Sequence, residues 1–430
     1  MSAATFEQRL DWARAQDASD PLSDLRRAFA LPCAADGRPL VYLCGHSLGL
    51  APVSARAMVA EEIGRWESLG VLGHEHGQPS WIGYAESLQG ALSKLAGALP
   101  REVIAMNSLS VNLHLLLASF YRPTPQRRSI LIEAGAFSSD RHVVASQITW
   151  HGGDPARDLI ELAPAAGHDL LRIEQIEACI ANQASHLALV LWPGVQYRTG
   201  QLFDISRITR AAHVAGARAG FDLAHAIGNV PLSLHDDEAD FAVWCSYKYL
   251  NAGPGAVGGA FVHEQHLSRG DLPRLTGWWG HNPDTRFEMS SQFRPADGAA
   301  SWAISNPPIF STSPLRASLP LFEQAGMAAL RAKSQRLTAC LASLLKELAG
   351  EHLAFVTPAD PTQRGCQLSV RLIHGAQRGR DVFEALAARG IITDWREPDI
   401  IRLAPVPLYN SCEDVLRCAW NLGEILSPAR

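Results

Sequence analysis

The chain has 430 residues, of which 47% are hydrophobic and 19% are charged, and its formal net charge is −5 at pH 7. This weak negative charge, with scattered lysines and arginines, excludes the basic surface of a nucleic-acid-binding protein and a basic helix that binds a membrane surface. The apolar runs, such as LALVLW at 187–192, fall far short of the roughly 18 residues that suggest a transmembrane helix. At roughly 150 residues per domain, the length predicts two or three domains.

The N-terminus and the cysteines favour a globular, cytoplasmic protein. The N-terminal residues mix acids and bases at helical spacing, which is not the pattern of a secretory signal. The eight cysteines form no CxxC pair, and none stands at zinc-finger spacing with a histidine. We therefore expect reduced, mostly buried thiols. His74 and His76 in GHEHG lack a third ligand in the sequence, and we expect no metal site.

From about residue 90, short apolar strands alternate with amphipathic helices. This alternation predicts an α/β fold with a mostly parallel sheet and helices on both faces. The link from Cys245 to Gly259 is glycine-rich and has no helical period, so the strand after it is predicted to run antiparallel. The predicted strands are Ser129–Glu133, Leu187–Trp192, Arg218–Asp222, Phe241–Cys245 and Gly259–His263, and the predicted helices between them cover 172–183 and 205–219.

A second pattern begins near residue 314 and indicates a smaller α+β domain. One or two long helices, bounded by Pro314 and Gly350, come first. We divide the chain into an N-terminal helical segment (1–44) that packs on the small domain, a large domain (45–312) and a small C-terminal domain (313–430). The aromatic, proline-rich loop at 277–310 is long enough to predict a functional role. The other predicted elements are strands at 353–357, 367–372, 391–395 and 400–404 and helices at 380–390 and 412–426.

A lysine and an aspartate follow two neighbouring strands of the predicted sheet. Lys248 stands in CSYKYLNAGPG, and Asp222 ends the strand RAGFD. The carboxyl ends of strands converge on the ligand crevice of an open α/β sheet, so both side chains are expected at one site. Such a pair fits pyridoxal 5′-phosphate (PLP): the lysine forms a Schiff base with the aldehyde, and the carboxylate keeps the pyridine nitrogen protonated. The alternatives are an N-cap role for Asp222 and a surface position for Lys248.

Two further segments fit the phosphate and the ring of this cofactor. The segment MNSLSVNLHLLLASF (106–120) opens with Asn and Ser ahead of an amphipathic helix, whose N-terminus is a ready anion site. Ser110 and the backbone after Leu109 are the expected phosphate contacts, and an ordinary N-cap is the alternative. Phe137 follows the strand ILIE and is placed to stack on a flat ring, with Asp140 close behind it. A lone Phe is more often part of a core.

Taken together, these segments resemble the kynureninase family of PLP-dependent enzymes, which has the aspartate-aminotransferase fold (fold type I). The resemblance covers nearly the whole chain in the family's order. One departure is His46, where the family usually has Asn. The resembling segments are CGHSLGL (44–50), GHEHG (73–77), MNSLSVNLHLLL (106–117), FSSDRH (137–142), FDLAHAIGN (221–229), CSYKYLNAGPG (245–255), GWWGH (277–281), ISNPP (304–308), RGCQLSV (364–370) and IRLAPVPLYNS (401–411).

The resemblance implies a large domain with a seven-stranded type of sheet, and a homodimer with shared active sites. It also implies a role for each residue of a cofactor site and a substrate site. In the cofactor site, Lys248 would carry the Schiff base, Asp222 would pair with the pyridine nitrogen, and Phe137 would stack on the ring near Asp140. Leu109, Ser110 and Tyr247 would hold the phosphate, and Trp278 and Asn306 would come from the partner subunit. His225 would contact the cofactor, and a helix-surface or core position is the alternative for this histidine. In the substrate site, Arg402 would bind the α-carboxylate, and Ser47, His74, Trp278, Ser305 and Asn306 would line the aryl pocket.

The reaction that the resemblance implies is hydrolysis of the Cβ–Cγ bond of L-kynurenine or 3-hydroxy-L-kynurenine, within tryptophan catabolism or NAD biosynthesis. The products would be L-alanine and anthranilate or 3-hydroxyanthranilate, with Tyr247 as a proton donor. Polar groups on His74, Ser305 and Asn306 favour acceptance of the 3-hydroxyl group.

Two alternatives share the cofactor. A cysteine desulfurase or selenocysteine lyase needs an exposed loop cysteine, whereas Cys366 leads into a strand and Cys340 lies in an apolar helix. A non-catalytic PLP-binding relative is expected to have lost some of Lys248, Asp222 and Arg402, which are all present.

Overall fold

A seven-stranded sheet forms the centre of the computed structural model, which describes residues 5–267, 272–373 and 378–427. The elements that build this sheet and its surroundings precede the long loop at 277–310. In chain order they are α1 (Phe6–Ala18), β1 (Val41–Tyr42), α2 (Ala55–Leu69), α3 (Gln89–Ala96), β2 (Val103–Ala105), α4 (Leu109–Phe120), β3 (Ser129–Glu133), α5 (Ser138–Trp150), α6 (Pro155–Asp158), β4 (Leu159–Leu162), α7 (Ile173–Asn182), β5 (Leu187–Pro193), α8 (Ile205–Val214), β6 (Arg218–Asp222), β7 (Phe241–Cys245) and β8 (Gly258–Val262).

The strands of this sheet are mostly parallel, in the order β2-β8-β7-β6-β5-β3-β4. Strands β4, β3, β5, β6 and β7 run parallel to one another. Strand β8 is antiparallel to both β7 and β2, with Cys245 opposite Gly258. The predicted antiparallel strand after the glycine-rich link is therefore confirmed. The sequence patterns missed β2 and β4, because β2 has only three residues and β4 is a partly exposed edge strand.

Two separate apolar cores cover the two faces of the sheet. Alternate residues of one strand enter different cores, as Leu131 and Ile130 of β3 do. Helices α4 and α5 pack on the face of Ile130, and α7 and α8 cover the opposite face. Because both faces are covered, central strands such as β7 (FAVWC) are buried throughout and show no polar alternation.

A four-stranded antiparallel sheet, β12-β13-β10-β9, forms a second unit with its own core. Leu10 and Ala13 of α1 belong to this core, whereas Leu22, Leu25 and Phe29 belong to a core of the large sheet. The N-terminal segment thus contacts both units. The elements of this part are α9 (Ile309–Ala325), α10 (Met327–Ala349), β9 (Leu353–Phe355), β10 (Leu368–Leu372), α11 (Gly379–Ala388), β11 (Ile391–Ile392), β12 (Asp394–Arg396), β13 (Ile400–Leu403) and α12 (Cys412–Leu426).

Two predicted boundaries in this part are wrong. The long helix was predicted to begin at Pro314, but α9 begins earlier and contains this proline. The break between α9 and α10 falls instead at Gly326, whose φ of 74° lies in the left-handed region that glycine tolerates. The single strand predicted at 391–395 is two strands: β11 pairs with β1, and β12 pairs with β13. This second change places Asp394 opposite Arg402.

No helix within the described ranges is both long and apolar enough to span a membrane.

Candidate active site

A pocket of about 690 Å³, partly open to solvent, lies at the carboxyl ends of β3, β5, β6 and β7. This is the edge of an open α/β sheet at which ligands are expected. Its lining includes eight of the residues that the sequence assigned to the cofactor, namely Leu109, Ser110, Phe137, Asp140, Asp222, His225, Tyr247 and Lys248. The structure brings these residues together, and their individual roles stay predictions.

The Lys248 side chain points into this pocket and is half-buried. Its Nζ lies 3.1 Å from Nε2 of His225 and 5.7 Å from the centroid of the Phe137 ring. The backbone around it is held on both sides: Gly49 N donates to the carbonyl of Tyr247 (2.8 Å), and Asn251 N donates to the carbonyl of Lys248 (3.0 Å). Burial, followed by the charge of Lys248, lowers the pKa of His225. His225 is therefore neutral and can accept a hydrogen bond from the lysine.

Three carboxyl groups also line the pocket, those of Glu133, Asp140 and Asp222. Asp222 ends β6 and accepts a hydrogen bond from Ala224 N (2.7 Å), so it also caps the turn that follows it. Burial raises the pKa of Asp140 well above its ordinary value, and the neighbouring Asp222 raises it further. Burial also raises the pKa of Glu133 to about 8. Within the described part of the chain, one oxygen of Asp140 is buried without a hydrogen-bond partner. A protonated pyridine nitrogen fits such a group of acids.

Two helix N-termini meet at one side of the pocket. Helix α4 begins at Leu109, and α5 begins at Ser138. The hydroxyl groups of Ser110 and Ser139 lie 2.7 Å apart between them. The free N–H groups and the dipoles of the two helices favour an anion at this point. The alternative of an ordinary N-cap at Ser108 is not seen, since its side chain caps no backbone N–H.

Arg402 is completely buried next to this pocket and does not line it. Its guanidinium donates to the carbonyl of Tyr197 (2.7 Å) and to the hydroxyl of Ser47 (3.0 Å). It also forms an ion pair with Asp394, whose Oδ1 lies 2.8 Å from Nη2 and 3.0 Å from Nε of the arginine. Asp394 is shared with Arg396, whose Nε lies 3.0 Å away. We call Ser47, Asp394, Arg396 and Arg402 the arginine cluster.

Like Ser47 and Arg402, the other four predicted substrate residues do not line the pocket of this chain. The His74 ring packs edge-on against Trp81, with centroids 5.4 Å apart. Trp278 is 43% exposed and donates from Nε1 to the carbonyl of Arg286 at 3.3 Å. Ser305 and Asn306 are exposed. Their roles stay predictions.

Sequence reasoning missed three polar residues of the pocket wall. Glu133 ends β3 as Asp222 ends β6, so the rule that found Asp222 also applies to it. Ser139 stands in the first turn of α5 and contacts Ser110. Tyr197 follows β5 and packs edge-on against Phe137, with ring centroids 5.3 Å apart. No motif in the sequence indicates Tyr197, because it lies in an irregular loop.

A group of three potential metal ligands, Glu102, His235 and His263, brings its ligand atoms within 4.8 Å of one another. Glu102 accepts hydrogen bonds from Leu99 N (2.8 Å), Glu264 N (2.7 Å) and His235 Nδ1 (3.0 Å). Both ring nitrogens of His263 also have backbone partners. These hydrogen bonds account for the close approach of the three side chains.

Comparison with known proteins supports the kynureninase resemblance. Residues 330–422 match the family described as "Kynureninase C-terminal domain". The chain is 57% identical over 403 residues to a kynureninase of Xanthomonas oryzae pv. oryzae, with 94% of this chain and 95% of the relative covered. It is 56% identical to a kynureninase of Xanthomonas campestris pv. campestris, with 93% of each chain covered.

Solved structures show the fold. A cysteine desulfurase from Thermococcus onnurineus NA1 matches with a TM-score of 0.73 at 16% identity, covering 91% of this chain and 95% of that one. The cystine C–S lyase C-DES, in complex with cysteine persulfide, matches with a TM-score of 0.74 at 18% identity, covering 90% and 97%.

The likenesses to the desulfurase and the lyase confirm the predicted fold type I architecture and carry no information on substrate at this identity. The kynureninase relatives are far closer over nearly the whole chain. They confirm the predicted PLP-dependent hydrolase, and the desulfurase alternative is a relationship of fold alone. The chain belongs to the kynureninase family.

Proposed function

We propose that this protein hydrolyses the Cβ–Cγ bond of L-kynurenine or 3-hydroxy-L-kynurenine, giving L-alanine and the corresponding anthranilate. The observation that carries this proposal is the convergence of Lys248 and Asp222 on one pocket, in a chain 57% identical to kynureninases.

The pocket residues fit PLP. Lys248 would hold its aldehyde and Asp222 its pyridine nitrogen. Phe137 would cover the ring, and the N-terminus of α4 with Ser110 would hold the phosphate. The unpartnered oxygen of Asp140 supports a polar ligand in this pocket. When bound, PLP withdraws electrons from the bonds of the substrate's Cα.

The side chains of this chain supply the proton transfers. Lys248 is the base that takes the proton from Cα of the substrate, and neutral His225 keeps its amine in position through the 3.1 Å contact. Burial raises the pKa of Tyr247, so its hydroxyl stays protonated and can donate to Cβ. Arg402 would orient the substrate through its α-carboxylate, since a guanidinium binds a carboxylate in two parallel hydrogen bonds.

The direct test is an assay for L-alanine with the purified protein and each of the two kynurenines. We expect release of L-alanine and the aryl acid in equal amounts. The ratio of kcat/KM for the two substrates decides between them. L-cysteine serves as the comparison substrate. Sulfide release from L-cysteine without alanine release from either kynurenine would overturn the proposal in favour of a desulfurase.

We also propose a homodimer in which each subunit completes the other's site. An apolar face of exposed side chains supports this proposal. It consists of Trp66, Val71, Leu72 and Phe310, which are between 45% and 77% exposed. Trp66 and Phe310 lie side by side, with ring centroids 6.1 Å apart. Exposed clusters of large apolar residues mark protein interfaces. Trp278 and Asn306 do not line the pocket of their own chain, which agrees with a role in the partner's site.

Mixing two inactive variants tests the shared sites. Lys248→Ala and Asn306→Ala subunits, refolded together, would form mixed dimers with one doubly altered and one intact site. In an equal mixture we expect about a quarter of the wild-type activity, since half the dimers are mixed and each has one active site. Absence of any recovery in mixed dimers isolated by two affinity tags would contradict sharing. The variant Trp66→Asp with Leu72→Asp should shift the mass in solution towards a monomer.

The cysteines support a cytoplasmic location, which stays a proposal. All eight lie in the described ranges, and each is free rather than in a disulfide.

A further inference from the structure

His46 lies in a loop, residues 44–49, between the lysine segment and the C-terminal unit. On one side, Cys44 forms a parallel bridge with Ala404. On the other side, Gly49 N donates to the carbonyl of Tyr247. The two glycines of the loop are pressed against these neighbours: a Cβ at Gly45 would lie 2.0 Å from the Tyr409 hydroxyl, and a Cβ at Gly49 would lie 2.2 Å from the carbonyl oxygen of Lys248. The loop therefore holds His46 at a fixed position.

The His46 imidazole is completely buried, and both of its ring nitrogens lack a hydrogen-bond partner among the residues that the structure describes. Its ring centroid lies 6.4 Å from that of His225, which contacts the amine of Lys248. The next residue, Ser47, binds Arg402 and Asp394. A buried polar group without a partner is costly, and in a native protein it calls for a ligand or another explanation. The position of His46 between Lys248 and Arg402 indicates that a ligand is the explanation.

The charges around His46 favour an anion. Burial lowers its pKa well below the ordinary value, and the positive charges of Arg402, Arg396 and Lys248 lower it further. The ring is therefore neutral, with one N–H donor and one acceptor. Asp394 neutralises one of the two arginines beside it. One positive charge of the pair remains for a ligand carboxylate.

We propose that His46 donates a hydrogen bond to the α-carboxylate of the amino-acid substrate beside Arg402, an assignment that rests on the function proposed above. His46 is then a substrate-binding residue at a position where the family usually has Asn. Histidine and asparagine both carry an N–H group, so a hydrogen-bond donor is present in either case, although only histidine has a ring. A hydrogen bond to a charged group contributes enough free energy to change affinity by about tenfold or more.

The test compares His46→Leu, which removes both nitrogens at similar size, with His46→Asn, which restores an N–H. The holoenzymes are assayed for KM and kcat with L-kynurenine. They are also titrated with L-alanine, which has the carboxylate and lacks the aryl ketone. His168→Ala, at an exposed histidine, is the control. We expect His46→Leu to raise KM and the L-alanine dissociation constant by about tenfold each, with a smaller change in kcat and full cofactor content. His46→Asn should recover most of both affinities.

Three results would overturn the assignment. In the first, His46→Leu binds both molecules like the wild type. In the second, the loss is confined to L-kynurenine, which would place His46 against the aryl ketone. In the third, His46→Leu and His46→Ala both lose the cofactor, which would make His46 a structural residue. If the wild-type enzyme cleaves neither L-kynurenine nor 3-hydroxy-L-kynurenine, the proposed function fails, and the L-alanine titration still tests the carboxylate contact.

Discussion

The Lys248 pocket and the arginine cluster differ in how the chain builds them. The pocket takes its side chains from the ends of neighbouring strands in one sheet and from two helices that start beside them. The arginine cluster joins Ser47 of the 44–49 loop to Asp394 and Arg402 of the C-terminal unit. The pocket geometry is therefore set by one sheet, whereas the cluster geometry depends on how two units meet.

The two regions also differ in charge. The pocket is lined by the carboxyl groups of Glu133, Asp140 and Asp222, whereas the arginine cluster has two arginines for one carboxylate. This difference predicts that changes in the pocket act on the cofactor and on proton transfer. Changes in the arginine cluster should act on substrate affinity instead. Four substitutions test this division, ordered here from the largest effect to the smallest.

Lys248→Ala should abolish turnover. The variant loses both the amine that would hold the cofactor and the base at Cα, so we expect kcat to fall by about a thousandfold or more. The visible absorbance of the cofactor-loaded enzyme should be lost as well. Lys94→Ala removes an exposed lysine that pairs with Glu323 and serves as the control. A Lys248→Ala enzyme that keeps its colour and its activity would contradict the assignment.

Arg402→Ala should act on the substrate far more than on the cofactor. Loss of a carboxylate-binding guanidinium is expected to raise KM by about a hundredfold, with cofactor retention close to that of the wild type. The measurements are steady-state kinetics and a cofactor titration. Arg141→Ala, at an exposed ion pair with Glu161, is the control. Equal losses of substrate and cofactor affinity would give Arg402 a structural role and remove the contrast between the two regions.

Asp394→Asn should weaken substrate binding less than Arg402→Ala does. The amide keeps the shape of the carboxylate that holds Arg402 at 2.8 Å, but it weakens the ion pair that orients the guanidinium. We expect KM to rise by about tenfold with little change in kcat. Asp394→Glu, which restores the charge, should recover part of the affinity. A drop in kcat at unchanged KM would show that Asp394 does not act through Arg402.

Glu133→Gln should change the pH dependence of stability in the apo-protein. The pKa of Glu133 is about 8 in the folded chain, against roughly 4.3 when unfolded. The folded chain thus holds a proton that the unfolded chain releases, so the contribution of Glu133 is fully present below about pH 4 and is lost as the pH rises through 8.

The measurement is denaturant unfolding of both apo-proteins between about pH 5.5 and 7.5. The free energy of unfolding of the wild type should fall more steeply with pH, by up to about 1.4 kcal/mol per pH unit. Equal slopes in the two proteins would show that Glu133 is ionised in the folded state.

Sequence patterns predicted the pocket because its residues follow local rules. Lys248 and Asp222 stand at strand ends, and Ser110 stands at the start of a helix. The bounds of β3, β6 and β7 agree with the predicted strands for the same reason: a buried apolar run limited by polar residues and glycine is visible in the chain itself.

Local sequence rules did not predict the contacts of the arginine cluster. Asp394 lies 347 residues from Ser47, and only the packing of the two units brings them together. The patterns also merged β11 and β12 into one strand, because both are short and only Thr393 separates them. The orphaned nitrogens of His46 are likewise a property of its surroundings. A sequence motif shows that the residue is unusual, but it does not show that the imidazole lacks a partner.

The tight packing of the 44–49 loop has a consequence for protein engineering. Gly45 and Gly49 leave no room for a side chain, and the loop touches the backbone of Lys248 directly. A library that randomises this loop to widen the substrate range would disturb the Lys248 backbone and the arginine cluster together, so most of its members are expected to be inactive. Ser305, an exposed residue of the predicted aryl pocket, is a better position for such a library.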